Sequence, residues 1–435
     1  MSQSNPISRD LRLVATGDSL IFQRISIFKE KGFLKVREIV KDADVAFNNF
    51  ETIIPGDKGV PRYKTDPTAW MTSPRYVLDE LLWMGFNMFS LANNHSMDYG
   101  EGGLLETKYV FEKAGVMNAG TGRTLSEARL PVYINTEKGR VALVAVNTLG
   151  DDIPAGEPRG KVSGRPGINP LRFRQKILLE KSEFDKLAEI NSKLGLPGPR
   201  DNRLSFLGNV VELSDKNDIH TEPYGPDLEG NLKSIEEARR NADYVFVSIH
   251  NHEKLRPGMM YFDDTIEYTA KFVEVFCRKA IDAGADAILG HGAHCLNGID
   301  IYDGHPIFYG IGNFVSQNYS SNPKPYDWYE ARGLHKEAYP DESKGSLYPA
   351  LEGEAEKRRV RRLSTSVVAK VEFRDKRARE ILLYPVEMNR REAQGGRPFL
   401  ATGASAEEIL ERLARLSRDY GTKIVVENGV GKINL

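Results

Sequence analysis

Residues 243–252 read DYVFVSIHNH, an apolar, β-branched run that ends in His250 and His252. A short run of this composition is typical of a strand that is buried on both faces of a parallel sheet. In open α/β sheets, ligands gather at the carboxyl ends of such strands, where polar side chains can face a crevice. The sequence therefore predicts a strand whose end delivers imidazoles to a functional site.

Four other apolar runs end in a carboxylate, an amide or an imidazole. They are LRLVAT before Gly17 and Asp18, DVAFNNF before Glu51, MFSLA before Asn93, Asn94 and His95, and ADAILG before His291 and His294. Five of the eight histidines of the chain fall in three of these motifs, which is difficult to explain by packing alone. We expect one crevice to collect these side chains.

Oxygen and imidazole ligands without a thiolate favour Mn, Fe or Zn, so the pattern predicts one or two divalent transition-metal ions. In hydrolytic sites, two ions roughly 3.5–4 Å apart can hold both the attacking and the leaving oxygen. The predicted ligands are Asp18 and His294 for one ion, Asn94, His250 and His291 for the other, and Glu51 as the bridge between them.

Two further histidines of these motifs receive other roles. His95 follows a predicted ligand by one residue, and we expect it to act as a general acid or to stabilise charge on the substrate. His252 is open to three interpretations, a ligand, a substrate contact or a surface residue, and we assign it to substrate binding. Taken singly, Asp18 also fits a helix N-cap and Asn94 a turn.

These motifs together resemble the CapA (poly-γ-glutamate capsule synthesis) family, in order over residues 10–150 and 240–316. The resemblance is carried by Gly17-Asp18, Asn49-Phe50-Glu51, Leu91-Ala92-Asn93-Asn94-His95 followed by Asp98-Tyr99-Gly100 and Gly103-Leu104, Ala119-Gly120-Thr121-Gly122, Ser248-Ile249-His250 and Gly290-His291-Gly292-Ala293-His294. It implies an α/β fold of the calcineurin-like metallophosphatase type, a four-layer α/β/β/α sandwich with two mixed sheets, lid-like insertions and paired metals at the sheet edge.

The chain departs from the wider metallophosphatase pattern at two positions. Ser19 and Leu20 follow Asp18, so no histidine stands at the usual D-x-H spacing. Glu51 occupies the place of the bridging aspartate of that superfamily. The resemblance therefore leaves three alternatives open: a first metal with fewer protein ligands than usual, one that binds weakly, or none at that position.

The periodicity of the remaining chain predicts alternating helices and strands followed by hairpins, an α/β order with an antiparallel finish. Helices are predicted over 23–43, 74–85 and near 101–114, and hairpin turns at Lys138-Gly139 and Asp303-Gly304. Both halves are needed for the site, so we predict one domain over 10–390, with insertions at about 151–235 and 317–362 and a C-terminal helix–strand extension over 391–435.

Charge and apolar content limit the partners. With 60 basic and 61 acidic side chains the net charge is −1, so neither nucleic acid nor an anionic membrane is an expected partner. The sequence shows no signal peptide and no run of about 18 apolar residues, which predicts a cytoplasmic protein. Cys277 and Cys295 do not suggest a disulfide framework. The expected partner is a small anionic substrate or a γ-glutamyl polymer.

The first insertion contains RPGINPLR, in which proline and glycine restrict the loop between two arginines. Because the arginine fork matches carboxylate and phosphate, we predict that Arg165, Arg172 and Asn169 contact the substrate anion. Simple surface arginines are an equal alternative for Arg165 and Arg172.

The chemistry predicted from these residues is metal-assisted hydrolysis of a phosphate ester or of a γ-glutamyl-type amide. The alternative is a non-catalytic protein of capsule biosynthesis or polymer handling that retains the fold. The insertions, rather than the metal motifs, are expected to set specificity.

Overall fold

The computed structural model describes residues 10–64, 70–148, 153–253, 267–317, 324–331, 333, 353–389 and 395–435. Over these residues the chain is a mixed α/β protein with ten helices and two large mixed sheets, of ten and six strands, beside two small sheets. The α/β fold class is thereby confirmed.

The first large sheet has a parallel half and an antiparallel half. Its parallel strands are β1 (Leu11–Leu20), β2 (Val45–Phe50), β3 (Met88–Ser90), β4 (Met117–Ala119) and β17 (Asn313–Ser316). Its antiparallel strands are β18 (Thr365–Arg374), β19 (Arg377–Met388), β20 (Pro398–Leu400), β21 (Val425–Glu427) and β22 (Val430–Asn434). β1 lies between β2 and β18, at the junction of the two halves.

The second large sheet is a parallel core with a hairpin at each side. Its strands are β6 (Val132–Thr136), β7 (Gly139–Asn147), β13 (Tyr244–His250), β14 (Ala287–His291), β15 (Ile299–Tyr302) and β16 (His305–Phe308). They lie in the order β15-β16-β14-β13-β7-β6, with β16, β14, β13 and β7 parallel. The predicted hairpins β6–β7 and β15–β16 are both present.

Alternation along the strands explains how the two sheets pack. Leu13 and Phe47 from the first sheet join Leu143 and Phe246 from the second in one buried cluster, which therefore lies between the sheets. Their neighbours in sequence point the other way, because successive side chains of a strand face opposite sides. Burying both faces accounts for the continuous apolar runs in the sequence.

Helices cover the outward face of each sheet. The first sheet packs on α1 (Lys31–Lys41), α2 (Val77–Met84) and α3 (Gly100–Lys113), and the second on α6 (Gly225–Asn241) and α7 (Lys271–Asp282). The other helices are α4 (Leu125–Arg129), α5 (Lys181–Lys193), α8 (Tyr326–Glu330), α9 (Gly353–Leu363) and α10 (Gly403–Arg418). Among the described residues, no helix combines the length and apolar character needed to cross a bilayer.

The predicted helix over 23–43 is shorter in the structure, where α1 covers only its second half. The backbone N–H groups of Ile25 and Ser26 donate to the Glu80 carboxylate at 2.9 and 2.7 Å. These donors are therefore satisfied by a distant side chain rather than by a helical turn, a tertiary contact that local periodicity does not encode.

The insertions and the C-terminal segment also acquire definite places. Residues 151–235 include a small sheet of β9 (Phe173–Leu179), β10 (Arg203–Phe206), β11 (Asn209–Leu213) and β12 (Asp218–Pro223), while β5 (Thr121–Gly122) pairs with β8 (Gly167–Ile168). Most of the insertion predicted at 317–362 lies outside the described residues. The C-terminal segment completes the first sheet, since β22 pairs with β19.

Candidate metal centre

The polar residues at the strand ends lie on the same strand faces as the apolar residues that form the core between the sheets. Every second residue of two strands shows this: Phe47, Asn49 and Glu51 in and directly after β2, and Phe246, Ser248 and His250 in β13. Since every second residue of a strand shares a face, the buried apolar residues are followed by polar ones on the same side. The two sheets thus enclose a polar centre beyond their apolar core.

The first group of this centre surrounds Asp18. Its Oδ1 lies 3.3 Å from His291 Nδ1 and 3.9 Å from His250 Nδ1, and its Oδ2 lies 3.3 Å from His294 Nδ1. The carboxylate also accepts hydrogen bonds from the Asn49 side chain at 2.8 Å and from the Gly292 N–H at 3.0 Å. Donors therefore orient Asp18 while imidazole nitrogens stand beside it.

The second group surrounds Glu51. Its Oε1 lies 3.8 Å from His250 Nε2 and 3.5 Å from His294 Nε2. His250 Nε2 is in turn 3.0 Å from both Asn94 Oδ1 and His252 Nε2. His250 consequently faces one group with each ring nitrogen.

The structure brings together every residue that the sequence predicted as a metal ligand. Three sets of side chains could each hold a metal ion, because the ligand atoms within each set lie within 4.8 Å of one another. They are Asp18 with His250 and His291, Glu51 with His250 and His252, and Asp18 with Glu51 and His294. This division differs from the predicted one, because His291 lies beside Asp18. Parallel pairing places His250 directly opposite His291, so the two rings share one location.

The chemistry of Glu51 fits a cation. The residue is fully buried, and neither carboxylate oxygen has a hydrogen-bond partner among the described residues. Burial raises the pKa of Glu51 well above its ordinary value, and the negative charges of Asp18 and Asp98 raise it further. A buried carboxylate without donors is unfavourable unless a positive charge compensates it.

Asp18 behaves in the opposite way. Burial alone would raise the pKa of its carboxyl, but hydrogen bonds with His291 and His294 and their charges lower that pKa well below its ordinary value. The same enclosed centre therefore holds two carboxylates whose pKa values move apart, a feature typical of functional sites.

Two side chains without a role predicted from the sequence orient the imidazoles. Ser248 Oγ lies 2.7 Å from His291 Nε2, and Asn313 Oδ1 lies 2.9 Å from His294 Nδ1. Ser248 could have been found, since it precedes His250 by two residues on a strand. Asn313 offered no such signal, because it reaches the site from a strand far along the chain.

Backbone geometry explains two residues of the motifs. A Cβ atom at Gly17 would lie 1.8 Å from the carbonyl oxygen of Gly312, so only glycine permits this close approach. His294 adopts a left-handed backbone conformation with φ of 57°. Such a conformation is unfavourable for a histidine, and residues held this way cluster at functional sites.

His95 is close enough to His294 for their charges to interact, and its ring is held by a carboxylate. Its Nδ1 lies 2.8 Å from Asp98 Oδ2, while Lys64 pairs with the other oxygen of Asp98. Burial lowers the pKa of His95, Asp98 raises it, and the charges of Lys64 and His294 lower it further. The bond to Asp98 engages Nδ1 and fixes the orientation of the ring.

The three insertion residues predicted to contact the substrate, Arg165, Asn169 and Arg172, have different surroundings in the structure. Arg165 is exposed, with its Nε donating to the Pro154 carbonyl at 3.1 Å. Asn169 is buried and donates to the Ala145 carbonyl at 2.9 Å and the Asn231 side chain at 2.8 Å. These contacts give Asn169 a structural role, and substrate contact by either residue stays a prediction.

Arg172 is held by an acidic residue of α6. Its Nε and Nη2 donate to the two oxygens of Asp227 at 2.7 and 2.9 Å, and Arg129 contacts the same carboxylate at 3.0 Å. The fork of Arg172 is thus engaged within the protein, which reduces its capacity to bind a substrate anion.

We expect Asp227→Ala to lower the free energy of unfolding by about 3–5 kcal/mol, because it leaves two arginines beside a vacated, buried position. Arg172→Ala should lower it by only about 1 kcal/mol, since that side chain is 46% exposed and Arg129 remains. Urea denaturation measures both values. An Arg172→Ala protein of unchanged stability that lost affinity for an anionic substrate would contradict the structural role.

The fold and this centre define a mixed α/β protein with a buried histidine–carboxylate cluster that could hold a metal ion. A model of the family described as bacterial capsule synthesis protein PGA_cap matches residues 12–318. The chain belongs to this family, and the resemblance drawn from the motifs is confirmed.

Individual relatives agree with this assignment. The uncharacterized protein y4sH of Sinorhizobium fredii is 33% identical, over 97% of this chain and 93% of its own length. The PGA biosynthesis protein CapA of Bacillus subtilis is 25% identical over 65% of this chain and 56% of its own length. A probable polyglutamine synthesis accessory protein of Mycobacterium tuberculosis is 26% identical, over 62% and 55% respectively.

Proposed function

We propose that this protein is a metal-dependent hydrolase that acts on a phosphate ester or a γ-glutamyl-type amide. The proposal includes a metallophosphatase-like α/β/β/α sandwich as its fold. In support, one apolar cluster draws on both large sheets, and separate clusters join the outward face of each sheet to helices. The candidate ligands lie at the carboxyl ends of parallel strands, where α/β folds bind their ligands.

The observation that carries the proposal is the state of Glu51. Its two oxygens are buried without hydrogen bonds among the described residues, beside nitrogens of His250 and His294. Neutral imidazole and carboxylate are suitable ligands for Mn, Fe or Zn. A core residue retained only for packing would not need an ionisable group in this position.

The protein residues divide the proposed reaction between them. A bound divalent cation supplies Lewis acidity, which lowers the pKa of water and polarises the scissile group. Asp18 and Glu51 provide the negative charge that retains such a cation. His95, fixed through Nδ1 by Asp98, presents Nε2 to the leaving group and, in its protonated form with a hydrogen on each ring nitrogen, donates the Nε2 proton to that group.

We expect His95→Ala to lower kcat by about 10²–10⁴-fold on phenyl phosphate, the contribution typical of a positioned general acid. The loss should be smaller on p-nitrophenyl phosphate, since its leaving group needs little protonation. Steady-state kinetics on both esters, with metal content measured in parallel, test the prediction. Equal losses on both esters would assign His95 to a role other than proton donation.

The proposed substrate classes can be separated by direct assay. A phosphate monoester, a phosphate diester and a γ-glutamyl anilide all suit an activated water, so the ranking of their kcat/KM values identifies the class. The proposed partner is a small anion or a γ-glutamyl polymer, and the names of two relatives, which refer to PGA biosynthesis and polyglutamine synthesis, favour a polymer.

Those names also favour a second candidate, a non-catalytic protein of capsule or polyglutamate synthesis that keeps the fold. Purified protein that contains no transition metal and hydrolyses none of the three substrates would support it. Metal-dependent turnover that is lost in His95→Ala without loss of metal would exclude it.

A further inference from the structure

We propose that His252 is a metal ligand, which acts with His250 and Glu51, rather than a substrate contact. The inference rests on the proposed metal centre and adds a ligand that the family motifs do not include. It assigns the HNH sequence at residues 250–252 as a two-histidine metal-binding segment of this chain.

The Gly17-Asp18 motif lacks the histidine that a D-x-H motif would supply to the metal. The residue two places after Asp18 is Leu20, which is buried against Phe22 and Met71. The D-x-H motif would supply an imidazole from this position, whereas here the side chain belongs to the apolar core. A metal near Glu51 must therefore take its imidazoles from other segments.

His252 is placed to supply one. Its Nε2 lies 3.0 Å from His250 Nε2, which is also 3.0 Å from Asn94 Oδ1 and 3.8 Å from Glu51 Oε1. One proton on His250 Nε2 can serve only one acceptor at a time. A cation, in contrast, accepts lone pairs from all of these atoms, so the convergence suits a metal better than a hydrogen bond.

Two neighbouring rings frame the same location. The ring centroid of His252 lies 4.9 Å from that of His250 and 5.4 Å from that of His294. His294 Nε2 is itself 3.5 Å from Glu51 Oε1. Three imidazoles thus lie near the Glu51 carboxylate, whose oxygens have no hydrogen bond among the described residues.

The backbone holds His252 in this position. Thr148, just beyond the end of β7, donates its N–H to the His250 carbonyl at 3.1 Å and its hydroxyl to the Glu253 side chain. Glu253 accepts the His252 N–H at 3.1 Å, and on the other side Asn251 N–H donates to the His291 carbonyl at 2.9 Å. The segment is therefore tied to both adjacent strands, as a ligand-bearing segment should be.

The first test is metal binding to the full-length protein, with Zn²⁺ and Mn²⁺ as probes. We compare wild type with His252→Ala, with His250→Ala as the variant of an assigned ligand, and with His220→Ala as a matched control. His220 lies on β12, where its side chain is exposed. Calorimetric titration gives affinity, and elemental analysis after dialysis gives the number of ions per chain.

We expect His252→Ala to lose one equivalent of metal or to bind it at least about 100-fold more weakly, beyond the 10–100-fold typical of a residue that only supports a ligand. His220→Ala should match wild type. Wild-type binding in His252→Ala, together with weakened binding in His250→Ala, would overturn this inference and leave the proposed function intact. Absence of metal in wild type would reject both.

A second variant gives a signal even if the alanine protein folds poorly. In His252→Cys loaded with Co²⁺, direct coordination should produce the near-ultraviolet charge-transfer absorption of a cobalt–thiolate bond. Wild type provides the baseline, since its two buried cysteines, Cys277 and Cys295, remain in both proteins. A folded His252→Cys protein that binds Co²⁺ without this band would show that residue 252 does not touch the metal.

Discussion

Replacing Glu51 with Gln should abolish metal binding and yet stabilise the metal-free protein. The amide removes a buried carboxyl whose pKa is raised by burial and by Asp18 and Asp98. In the presence of a chelator we expect the free energy of unfolding to increase by about 1–3 kcal/mol at neutral pH. With metal at about 1,000 times its Kd, wild type should gain about 4 kcal/mol and Glu51→Gln almost nothing.

The pH dependence gives a further check in the metal-free state. A carboxyl whose folded pKa is raised contributes stability below its unfolded pKa, about 4.3, and loses that contribution as pH rises through the folded pKa. The advantage of Glu51→Gln should therefore grow with pH. Metal binding by wild type should weaken as pH falls, because the proton on Glu51 must leave.

Glu80→Gln is a matched control, because Glu80 is also buried but accepts backbone hydrogen bonds. Burial raises the pKa of Glu80, yet those bonds lower it below its ordinary value. This substitution should destabilise the protein and leave metal affinity unchanged. If Glu51→Gln, like Glu80→Gln, lowered the stability of the metal-free protein, the interpretation of Glu51 as a carboxylate without a compensating charge would be wrong.

Asp18→Asn should have the opposite effect on the metal-free protein. Asp18 faces three imidazoles and accepts hydrogen bonds from Asn49 and Gly292. An amide replaces one acceptor by a donor, so we expect a loss of about 3–5 kcal/mol, as when one partner of a buried ionic pair is removed. Metal binding should be lost as well.

The sign of the pH dependence follows from the lowered pKa of Asp18. A group of this kind contributes stability above its unfolded pKa, about 3.9, and loses it as pH falls through the folded pKa. The difference between wild type and Asp18→Asn should thus be largest near neutrality and shrink in acid. Urea denaturation of both proteins in the presence of a chelator, between pH 3 and 7, measures this difference. A difference that widens in acid would exclude the proposed pairing of Asp18 with the imidazoles.

The strands that precede the candidate ligands were predictable from the sequence. The apolar runs before Glu51, His250 and His291 are strands, because burial on both faces leaves a pattern that is local in sequence. The convergence of those strand ends was predictable too, since parallel strands present their carboxyl ends at one edge. Family motifs added the order in which the ligands occur.

Sequence reasoning was less successful where distant contacts decide the outcome. The N-terminal half of the helix predicted over 23–43 is not helical, because Glu80 satisfies its backbone donors. Asp227 on α6 accepts hydrogen bonds from Arg172, a contact that the sequence did not predict, and binding of a substrate anion by Arg172 stays a prediction. Neither partner is near in sequence, and no periodic pattern connects them.

The sequence by itself determined the α/β class, the family and, apart from His252, the side chains that could hold a metal ion, because strand alternation and motif order are properties of the chain alone. Only the tertiary structure decided which atoms meet: His291 beside Asp18, His252 beside His250, and Glu51 without a hydrogen bond among the described residues. The reason is that pKa shifts and ligand geometry depend on distances of a few ångströms between strands of two different sheets, which residue order does not specify.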